Sequence, residues 1–575
     1  MERLLSGNAA AARGAYEAGV RVVSSYPGTP ATEITELIGE YDGVYAEWAP
    51  NEKAAFETAY GASLAGARAM SCMKHVGVNV AADALFTAAY TGVRGGLVVV
   101  AADDPGMHSS QNEQDSRMYA KSAHIPMLEP SDSAEAREFM RAAFKLSEEY
   151  DTPVFVRLTT RVAHSRSLVS EQAPERAELI PYEKNAEKYV MIPAHARVRR
   201  MALEARMARL SEDVNDCKIN RAELRSRELG VVCAGGVYEY VREALPDASV
   251  YKAATVYPLP LRAIEKFSQE VKRLVVVEEL EPFIETELKA RGIACEGKSL
   301  FGAGGEYSVS RIRQSILGIP APQSERGLPS RPPVLCAGCP HRPVLYALKK
   351  LGLKVFGDIG CYSLGALPPL SALDAMLCMG ASVSMAHGAE KAHGRDYSRG
   401  AVAVIGDSTF MHSGITALIG AAYNGSNLTL LILDNGTTAM TGHQQNPSTG
   451  KALCGFSAPR IDLVKLCEAA GAASVRVEDA YDLSGCEKAI REETQREGVS
   501  VIIARRPCAL ITSRAEKPYR IDGCHKCGMC LEIGCPAIRK EPDGASVIDE
   551  NLCSGCGVCA QLCAFDAISI AEKEA

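Results

Sequence analysis

The sequence predicts an α/β protein with three parallel-sheet domains, followed by a small α+β domain at the C-terminus. Continuous apolar segments alternate with helix-forming segments along most of the 575 residues, a pattern typical of parallel sheets covered by helices on both faces. Eight of the 20 cysteines lie between Cys524 and Cys563, in a segment too short to bury a large apolar core. A segment of that size usually needs disulfides or a metal to stabilise it.

The composition is that of an ordinary globular protein. Hydrophobic residues make up 47% and charged residues 23% of the chain, which excludes a disordered or collagen-like protein. The formal net charge of -7 argues against a dedicated binder of nucleic acid or anionic membranes, because such proteins need a concentrated basic surface. We therefore expect protein and small-molecule partners, with no nucleic acid and no membrane.

The N-terminal sequence and the cysteine usage predict a cytoplasmic protein. Residues 1–5 lead directly into an alanine-rich helix without the apolar segment of a secretory signal. No stretch of the sequence reaches the ~20 apolar residues that a membrane span needs. In the reducing cytoplasm, cysteines serve as metal ligands, catalytic groups or core residues rather than as disulfides.

Changes in composition divide the chain into segments. Charged, helix-forming sequence predicts a helical bridge, and Pro-rich sequence predicts a linker. The predicted segments are an α/β domain over residues 1–183, the bridge over 184–228, a second α/β domain over 229–320, the linker over 321–333, a third α/β domain over 334–512 and the cysteine-rich domain over 513–575.

Continuous apolar runs predict the buried strands of these domains. They are Val20–Ser25, Gly96–Ala102 and Pro153–Leu158 in the first domain, Leu229–Ala234 and Arg273–Glu278 in the second, and Lys354–Asp358, Ala401–Gly406, Leu428–Asp434 and Ser500–Ala504 in the third.

The clustered cysteines form two cassettes, Cys524-x2-Cys527-x2-Cys530-x4-Cys535 and Cys553-x2-Cys556-x2-Cys559-x3-Cys563. Three cysteines at this spacing reach adjacent irons of a cubane cluster, and the fourth ligand comes from the other cassette. The spacing predicts two [4Fe-4S] clusters, one on Cys524, Cys527, Cys530 and Cys563, and the other on Cys553, Cys556, Cys559 and Cys535.

Two structural zinc sites are the alternative interpretation of the cassettes, since Cys-x2-Cys also suits tetrahedral zinc. Zinc rarely uses three such cysteines twice in succession. The cassettes depart from the usual ferredoxin pattern in two places, because four residues precede Cys535 and Ala564 stands where proline usually follows. We expect these departures to alter the local turns more than the ligand set.

Polar residues follow two strands of the third domain, where Gly406-Asp407-Ser408 ends one strand and Asn435-Gly436-Thr437 follows the next. Neighbouring strand ends in a parallel sheet face one crevice. Asp407, Asn435 and the backbone carbonyl of Thr437 would offer oxygen ligands to one Mg²⁺, which completes its shell with phosphate and water. Gly406 would let the backbone approach a diphosphate closely. Ordinary turns are the alternative interpretation of each motif taken alone.

This pair of strand ends resembles the Gly-Asp-Gly…Asn signature of thiamine-diphosphate enzymes, with Ser408 in place of the last glycine. The run from Asp434 to Gln444 is similar to that of the 2-oxoacid:ferredoxin oxidoreductases, and the resemblance covers essentially the whole chain. It implies a Pyr-type thiamine-binding fold for the first domain, a transketolase C-terminal-like fold for the second, a PP-type fold for the third and a two-cluster ferredoxin domain. Thiamine diphosphate and Mg²⁺ are then expected cofactors, bound through Gly406, Asp407, Ser408, Asn435 and Thr437.

The same resemblance assigns residues in the first domain. Glu52 corresponds to the glutamate that acts on the aminopyrimidine of thiamine, and its place at the start of a helix favours a carboxylate. Glu57 is the rival, and a solvated helix glutamate is the plain alternative for either. Thr29, in Tyr26-Pro27-Gly28-Thr29-Pro30, is the candidate for binding the 2-oxoacid carboxylate, and the segment from Lys74 to Gly77 is a weaker candidate for substrate contacts.

A third cysteine set resembles the ligands of a cluster near the thiamine in relatives. It consists of Cys336 and Cys339 in the segment Cys336-Ala337-Gly338-Cys339-Pro340-His341, Cys361 after Asp358-Ile359-Gly360, and Cys508 after the last strand of the third domain. Buried free cysteines are common, so the sequence leaves a third cluster and an inert set as equal alternatives.

The implied reaction is oxidative decarboxylation of an arylpyruvate, such as indolepyruvate or phenylpyruvate, with coenzyme A as acyl acceptor. Electrons would pass through the [4Fe-4S] clusters to ferredoxin. A smaller gamma-type beta subunit is expected, in an (αβ)n oligomer, since no counterpart of that domain stands in this sequence. The alternatives are an oxidoreductase for pyruvate or branched-chain 2-oxoacids, or an electron-transfer subunit with a degenerate thiamine fold.

Overall fold

The computed structural model describes residues 2–302, 304–321, 329, 331–512 and 517–571. Two compact units divide the chain, Met1–Gly327 and Leu328–Ala575. Throughout the described ranges, no helix has both the length and the apolar character needed to cross a bilayer.

The strands of the first unit are β1 (Glu2–Ser6), β2 (Val22–Ser25), β3 (Tyr45–Trp48), β4 (Ala69–Lys74), β5 (Leu97–Asp103), β6 (Met127–Leu128), β7 (Val154–Thr159), β8 (Arg166–Ser170), β9 (Arg221–Glu223), β10 (Ser226–Cys233), β11 (Ala248–Lys252), β12 (Thr255–Tyr257) and β13 (Arg273–Val277). Its helices are α1 (Gly7–Glu17), α2 (Thr32–Ile38), α3 (Glu52–Leu64), α4 (His75–Thr91), α5 (Ser116–Ala123), α6 (Ser133–Tyr150), α7 (Thr160–His164), α8 (Ala186–Tyr189), α9 (Pro193–Asp213), α10 (Val237–Ala244), α11 (Leu261–Gln269), α12 (Phe283–Ala290), α13 (Lys298–Phe301) and α14 (Val309–Leu317).

The large sheet of the first unit has the strand order β12-β6-β7-β5-β4-β2-β3 within the described residues. The pairs from β6 to β3 are parallel, which confirms the predicted sheet type. The edge strand β12 pairs antiparallel with β6, although β12 lies in the segment predicted to form the second domain. The strand of Thr255–Tyr257 is too short to reveal from periodicity which sheet it joins.

A second sheet has the strand order β13-β10-β11-β9 within the described residues. In this sheet β10 pairs in parallel with β11 and β13, and β9 pairs antiparallel with β11. Helix α9 occupies the middle of the predicted helical bridge, but β9 lies in the last part of that bridge. Two of the three residues of β9, Arg221 and Glu223, are charged, and the strand lies at a sheet edge, where side chains reach solvent. Charged composition therefore does not distinguish this edge strand from a solvated helix.

The strands of the second unit are β14 (Lys354–Phe356), β15 (Ala401–Gly406), β16 (Leu428–Asp434), β17 (Ser474–Asp479), β18 (Val499–Arg505), β19 (Tyr519–Ile521), β20 (Ile538–Lys540), β21 (Ser546–Ile548) and β22 (Ile568–Ile570). Its α-helices are α15 (His341–Leu351), α16 (Ala381–His393), α17 (Arg395–Ser398), α18 (Asp407–Thr409), α19 (Ile415–Tyr423), α20 (Leu463–Ala469) and α21 (Leu483–Glu493). Phe410–Gly414 forms a π-helical turn, and Cys361–Ala366, Met529–Ile533 and Ala560–Leu562 form 3₁₀ turns.

A parallel sheet of order β14-β15-β16-β18-β17 forms the centre of the second unit. Apolar clusters cover both of its faces, as a parallel sheet requires. The cysteine-rich segment adds two antiparallel ribbons, β19 with β22 and β20 with β21. It also adds residues such as Ile533 and Val558 to one of those clusters. The predicted α/β domains and the α+β tail are thus confirmed as fold types.

A buried ionic network joins the two sheets of the first unit. Arg117 contacts Asp115 and Glu278, both at 2.6 Å, and all three side chains are buried. Glu279 lies next in the chain, where its Oε1 accepts a hydrogen bond from the Tyr307 N–H at 2.7 Å. Burial raises the pKa of Glu279 to about 7, against the opposing effect of that N–H. The folded protein therefore retains a proton here that the unfolded chain releases at lower pH.

We expect Glu279→Gln to stabilise the first unit at pH 8 more than at pH 5. Between pH 4.5 and about 7 the folded state binds more protons than the unfolded state, so the free energy of unfolding falls as pH rises through that window. Glutamine keeps a hydrogen-bond acceptor but cannot ionise. Above this window, the free energy of unfolding of the variant should therefore exceed that of the wild type by about 3 kcal/mol. The urea midpoints of unfolding of the wild type and the variant, taken at both pH values, measure this difference. Glu228→Gln is the control, because Glu228 is exposed. Equal effects of Glu279→Gln at both pH values would contradict the prediction.

Candidate functional site

The carboxyl ends of β15 and β16 form the first part of the site. The two strands are paired in parallel with Gly406 opposite Leu433, so Asp407 and Asn435 leave neighbouring strand ends at one edge of the sheet. Asp407 is 2% exposed, and Asn435 and Thr437 are also buried. The structure therefore brings together the three residues that the sequence predicts as magnesium ligands.

Asp407 is held by two side chains that the sequence reasoning missed. Its Oδ2 accepts hydrogen bonds from the Ser448 hydroxyl at 3.0 Å and from the Asn446 amide at 3.3 Å. Burial raises the pKa of Asp407 to about 7, the charge of Asp434 adds to that rise, and the Ser448 and Asn446 donors oppose it. A buried carboxylate close to a second carboxylate is a site that a cation would stabilise.

Asn435 connects this strand end to two other elements. Its amide nitrogen lies 3.5 Å from Nε2 of the buried His341, and its Oδ1 accepts from the Thr437 N–H at 3.2 Å. Its backbone carbonyl accepts from the Cys508 N–H at 2.9 Å. Burial lowers the pKa of His341 to about 4, so the imidazole is neutral and able to accept from the amide. The only sequence signal for His341 was its position two residues after Cys339.

Gly406 and Ser408 have structural roles beyond those predicted. A Cβ on Gly406 would lie 2.9 Å from Cε1 of Tyr362, so glycine leaves the space that the Tyr362 ring occupies. The close approach of a diphosphate stays a prediction. Ser408 accepts a hydrogen bond from the Thr438 hydroxyl at 2.8 Å. That bond joins the two strand ends and gives a reason for serine where the signature has glycine.

A polar cavity of about 310 Å³ lies beside the end of β16. Asp434, Ser448, Arg460 and Arg505 are among its lining residues. Asp434 accepts a hydrogen bond from Arg505 Nε at 2.7 Å, which pairs its charge. Among the described residues, no three His, Cys, Asp or Glu side chains lie close enough to bind a single ion directly.

In the first unit, Glu52 and Glu57 lie in very different surroundings. Glu52 is 4% exposed and begins α3, where Asn51 caps the helix by accepting from the Ala54 N–H at 2.9 Å. A Cβ on Gly77 would lie 2.6 Å from Cγ and Oε1 of Glu52, so the glutamate packs directly against the glycine of α4. Glu57 is exposed and forms an ion pair with Lys53. The buried geometry favours Glu52 over Glu57 as the functional carboxylate.

The Thr29 loop lies next to the end of β4. Thr29 is half-buried, and a Cβ on Gly28 would lie 3.0 Å from Cβ of Lys74. Lys74 is buried and donates to the Ser109 carbonyl, and burial lowers the pKa values of both Lys74 and His75. The two segments that the sequence singled out, at Thr29 and at Lys74, therefore meet in this unit.

Three of the four cysteines of the second cassette line one cavity together with Cys535. Cys535, Cys553, Cys556 and Cys559 all face it, which is the ligand set that the cassette spacing predicts for one cluster. Burial raises the pKa of Cys559 to about 12, and the neighbouring Cys556, Cys535 and Cys553 raise it further. Cys339 of the third cysteine set also lines this cavity, and the four thiols of the predicted set suit a cubane cluster.

In the first cassette, Cys524 and Cys527 both lie within electrostatic range of Cys530. The thiol of Cys524 accepts hydrogen bonds from the N–H groups of Ser546 and Lys526, at 3.3 and 3.4 Å, and these lower its pKa. Cys563 accepts from the Ala567 N–H at 3.3 Å. Backbone N–H donors to sulfur stabilise thiolate ligands, so the surroundings of Cys524 and Cys563 suit the predicted role.

The third cysteine set converges as well. Cys361 lies within electrostatic range of Cys508 and Cys336, and Cys339 within range of Cys361 and Cys336. Burial raises the pKa of Cys361 to about 11 and of Cys339 to about 12, and the neighbouring thiols contribute to both. Elements distant in sequence thus bring the four thiols into one group beside Asn435, through the hydrogen bond to Cys508.

The loop that carries Cys336 and Cys339 packs on the second cassette. Gly338 has φ +68°, and a Cβ there would overlap the Ser554 hydroxyl. The carbonyl of Gly338 accepts from the Tyr481 hydroxyl at 2.6 Å. Gln561 donates to the Tyr481 carbonyl at 2.7 Å and accepts from the Leu483 N–H at 3.0 Å, which fixes the tail on α21. The third set and the second cassette are therefore immediate neighbours.

Three family models match the chain. The model for the thiamine diphosphate-binding domain of pyruvate flavodoxin/ferredoxin oxidoreductases matches residues 13–222. The model for the C-terminal TPP-binding domain of thiamine pyrophosphate enzymes matches residues 358–504, and a 4Fe-4S binding domain model matches residues 546–569. Fold and matches together define an oxidoreductase of the 2-oxoacid:ferredoxin type, dependent on thiamine diphosphate and linked to iron–sulfur clusters.

The chain belongs to the family of indolepyruvate oxidoreductase IorA subunits. It is 40% identical to IorA of Archaeoglobus fulgidus, over 99% of this chain and 97% of that protein. It is 42% identical to IorA of Methanothermobacter marburgensis, over 98% and 96%. A solved 2-oxoglutarate:ferredoxin oxidoreductase from Magnetococcus marinus aligns at 18% identity and a TM-score of 0.47, covering 55% of this chain and 65% of that one. That likeness is too distant to transfer the role of any residue.

We expect Gly338→Ala to lower the iron and sulfide retained per chain. The added methyl group would displace Ser554 or push the Cys336–Cys339 loop away from the second cassette. Gly352→Ala is the matched control, because Gly352 has φ +64° and nothing lies within 4 Å of its Cβ position. The control carries the same backbone strain, of order 1 kcal/mol, without the overlap. Equal iron content in both variants after anaerobic purification would contradict the prediction.

Proposed function

We propose that this chain is the thiamine-binding subunit of an enzyme that oxidatively decarboxylates arylpyruvates such as indolepyruvate, with coenzyme A as acyl acceptor and ferredoxin as electron acceptor. The similarity to indolepyruvate oxidoreductase subunits over nearly the full length of both chains is the observation that carries the proposal. A smaller gamma-type subunit completes the enzyme in an (αβ)n assembly, since the relatives are themselves named as subunits.

The residues at the ends of β15 and β16 have the chemistry to hold Mg²⁺ and a diphosphate. Asp407 and Asn435 supply side-chain oxygens and Thr437 a backbone carbonyl, and all three are buried at one sheet edge. Ser448 and Asn446 fix the Asp407 carboxylate from one side. Magnesium takes few protein oxygens and completes its octahedron with phosphate and water, which suits this small donor set.

Glu52 holds the proton at the aminopyrimidine, and Thr29 binds the carboxylate of the 2-oxoacid. When bound, thiamine diphosphate supplies the electron sink for breaking the bond next to the substrate carbonyl. The burial of Glu52 supports its role, because a buried site would strengthen a hydrogen bond from this side chain to the aminopyrimidine. Lys74 and His75 lie beside the Thr29 loop and contribute further polar contacts there.

The four-cysteine group at Cys336 holds a third [4Fe-4S] cluster in addition to the two of the cassettes. The convergence of Cys336, Cys339, Cys361 and Cys508 supports this assignment over an inert set. An electron-transfer subunit with a degenerate thiamine fold would have no use for a buried Glu52, Asp407 and Asn435 together. These three buried polar side chains therefore favour an active enzyme.

We expect Gly77→Ala to slow proton exchange at C2 of bound thiamine diphosphate by about tenfold or more. The new methyl group would lie 2.6 Å from the Glu52 carboxylate and displace it, and a displaced general acid–base group loses most of its effect. Gly61→Ala is the control, since its Cβ would meet nothing within 4 Å on α3. Exchange is followed by NMR on the cofactor-loaded chain. Wild-type exchange in Gly77→Ala would remove Glu52 from the assignment.

Iron and sulfide analysis counts the clusters directly. Three cubanes give about twelve irons per chain, and two give about eight. We expect about twelve, falling to about eight when Cys361 and Cys508 are both replaced by alanine. A wild-type value of about eight would leave the Cys336 group without a cluster.

Steady-state assays of the co-expressed subunits with ferredoxin and coenzyme A test the substrate class. Indolepyruvate and phenylpyruvate should exceed pyruvate in kcat/KM by about tenfold or more, because burying an aromatic side chain contributes about 1.5–3 kcal/mol. A preference for pyruvate or a branched-chain 2-oxoacid would place the enzyme elsewhere in its class. Full turnover by this chain alone would contradict the need for a second subunit.

A further inference from the structure

Arg342 is a buried cation at the junction of α15 with the cysteine-rich segment. Arg342 is only 4% exposed. The guanidinium donates to the carbonyls of Cys336 at 3.1 Å and Ile533 at 3.2 Å, and also to those of Leu335 and Gly534. All of the hydrogen-bond partners recorded for it in the described residues are neutral carbonyls. A buried charge that is compensated only by neutral dipoles is costly unless anions lie near it.

Cysteine sulfurs are the groups that can supply this negative charge. The thiols of Cys535, Cys339, Cys336 and Cys556 lie within electrostatic range of the guanidinium. Arg342 also lines the same cavity as Cys339, Cys535 and Cys556. These thiols come from two different ligand sets, the third cysteine set and the second cassette. Arg342 therefore lies where the two sets adjoin.

The irregular spacing of the first cassette fits this arrangement. The four residues between Cys530 and Cys535 end in Ile533 and Gly534, whose carbonyls accept from Arg342. Gly534 has φ +67°, and a Cβ on it would lie 3.2 Å from Nη1 of Arg342. The longer spacing, with a glycine in the left-handed region, thus turns two carbonyls toward the guanidinium before Cys535.

We propose that Arg342 is the shared counter-charge of two neighbouring clusters and that it raises the reduction potential of both. One is the cluster proposed above on Cys336, Cys339, Cys361 and Cys508, so this half rests on the proposed function. The other is the cluster on Cys535, Cys553, Cys556 and Cys559. A cluster with four thiolates gains one negative charge when it accepts an electron, and a fixed cation stabilises the reduced form more than the oxidised form. Arg342 touches no reacting atom and acts through the cluster ligands.

Redox titration of the full chain, followed by electron paramagnetic resonance, measures the effect. Arg342→Gln keeps side-chain donors for the carbonyls but removes the charge. At a fixed potential it should lower the reduced-to-oxidised ratio of the two adjoining clusters about tenfold, which is about 59 mV for a one-electron couple. The cluster on Cys524, Cys527, Cys530 and Cys563 should keep its wild-type potential. Arg342→Lys, which keeps the charge, should remain near wild type.

Arg539→Gln is the matched control, since Arg539 belongs to the same cysteine-rich segment but its side chain is 67% exposed. Solvent screens such a charge, so every signal should stay at its wild-type potential. Unshifted signals in Arg342→Gln, or an equal shift of all signals, would overturn the proposal. Loss of iron in both Arg342→Gln and Arg342→Lys would also overturn it, because Arg342 would then serve as a tether. If only Arg342→Gln loses iron, the test rests on Arg342→Lys. A reduction potential of the two adjoining clusters below the wild-type value in Arg342→Lys would then count against the proposal.

The iron count separates this proposal from the proposed function. With about eight irons in the wild type, the third cluster is absent, while the shift expected for the Cys535 cluster is still measured in Arg342→Gln. With about twelve irons and no shift, the third cluster stands and the role of Arg342 does not.

Discussion

The parallel register between β15 and β16 is the constraint on which the second unit's site depends. Pairing Gly406 with Leu433 brings Asp407 and Asn435 to one edge of the sheet, where the Ser448, Asn446 and His341 side chains can reach them. The backbone of Asn435 also receives the Cys508 N–H. One strand end therefore positions both a group of oxygen donors and one member of a thiol group. A slip of this register would separate all of them.

Much of this arrangement could be predicted because the strands, the polar residues that follow them and the cysteines form local patterns in the sequence. Continuous apolar runs indicate buried parallel strands, and the polar residues directly after them indicate which side chains meet at the sheet edge. Cysteine spacing likewise predicts which thiols lie together, and Cys535, Cys553, Cys556 and Cys559, one predicted set, do line one cavity. These predictions rest on local pattern together with one general property of parallel sheets.

What sequence could not provide are contacts between elements far apart in the chain. Ser448 and Arg342 carry no motif of their own, and their partners lie about 40 and 190 residues away. Strand β12 joins the sheet of a different predicted domain through the pairing of Thr255 and Tyr257 with β6, which no periodicity reveals. The position of Glu52 at the start of a helix favours it over Glu57 in the sequence, but only the coordinates show that Glu52 is buried and Glu57 exposed.

The contacts of Gln561 with Tyr481 and Leu483 have a kinetic consequence. They hold the cysteine-rich segment against the sheet domain of the same polypeptide, so electron transfer between the proposed clusters would be unimolecular. Its rate is then independent of enzyme concentration and nearly insensitive to ionic strength. A dependence on dilution or salt belongs to the later encounter with a diffusing acceptor protein, where two charged surfaces must find each other. Measuring the rate at several dilutions and salt concentrations therefore distinguishes electron transfer within the chain from electron transfer to the acceptor protein.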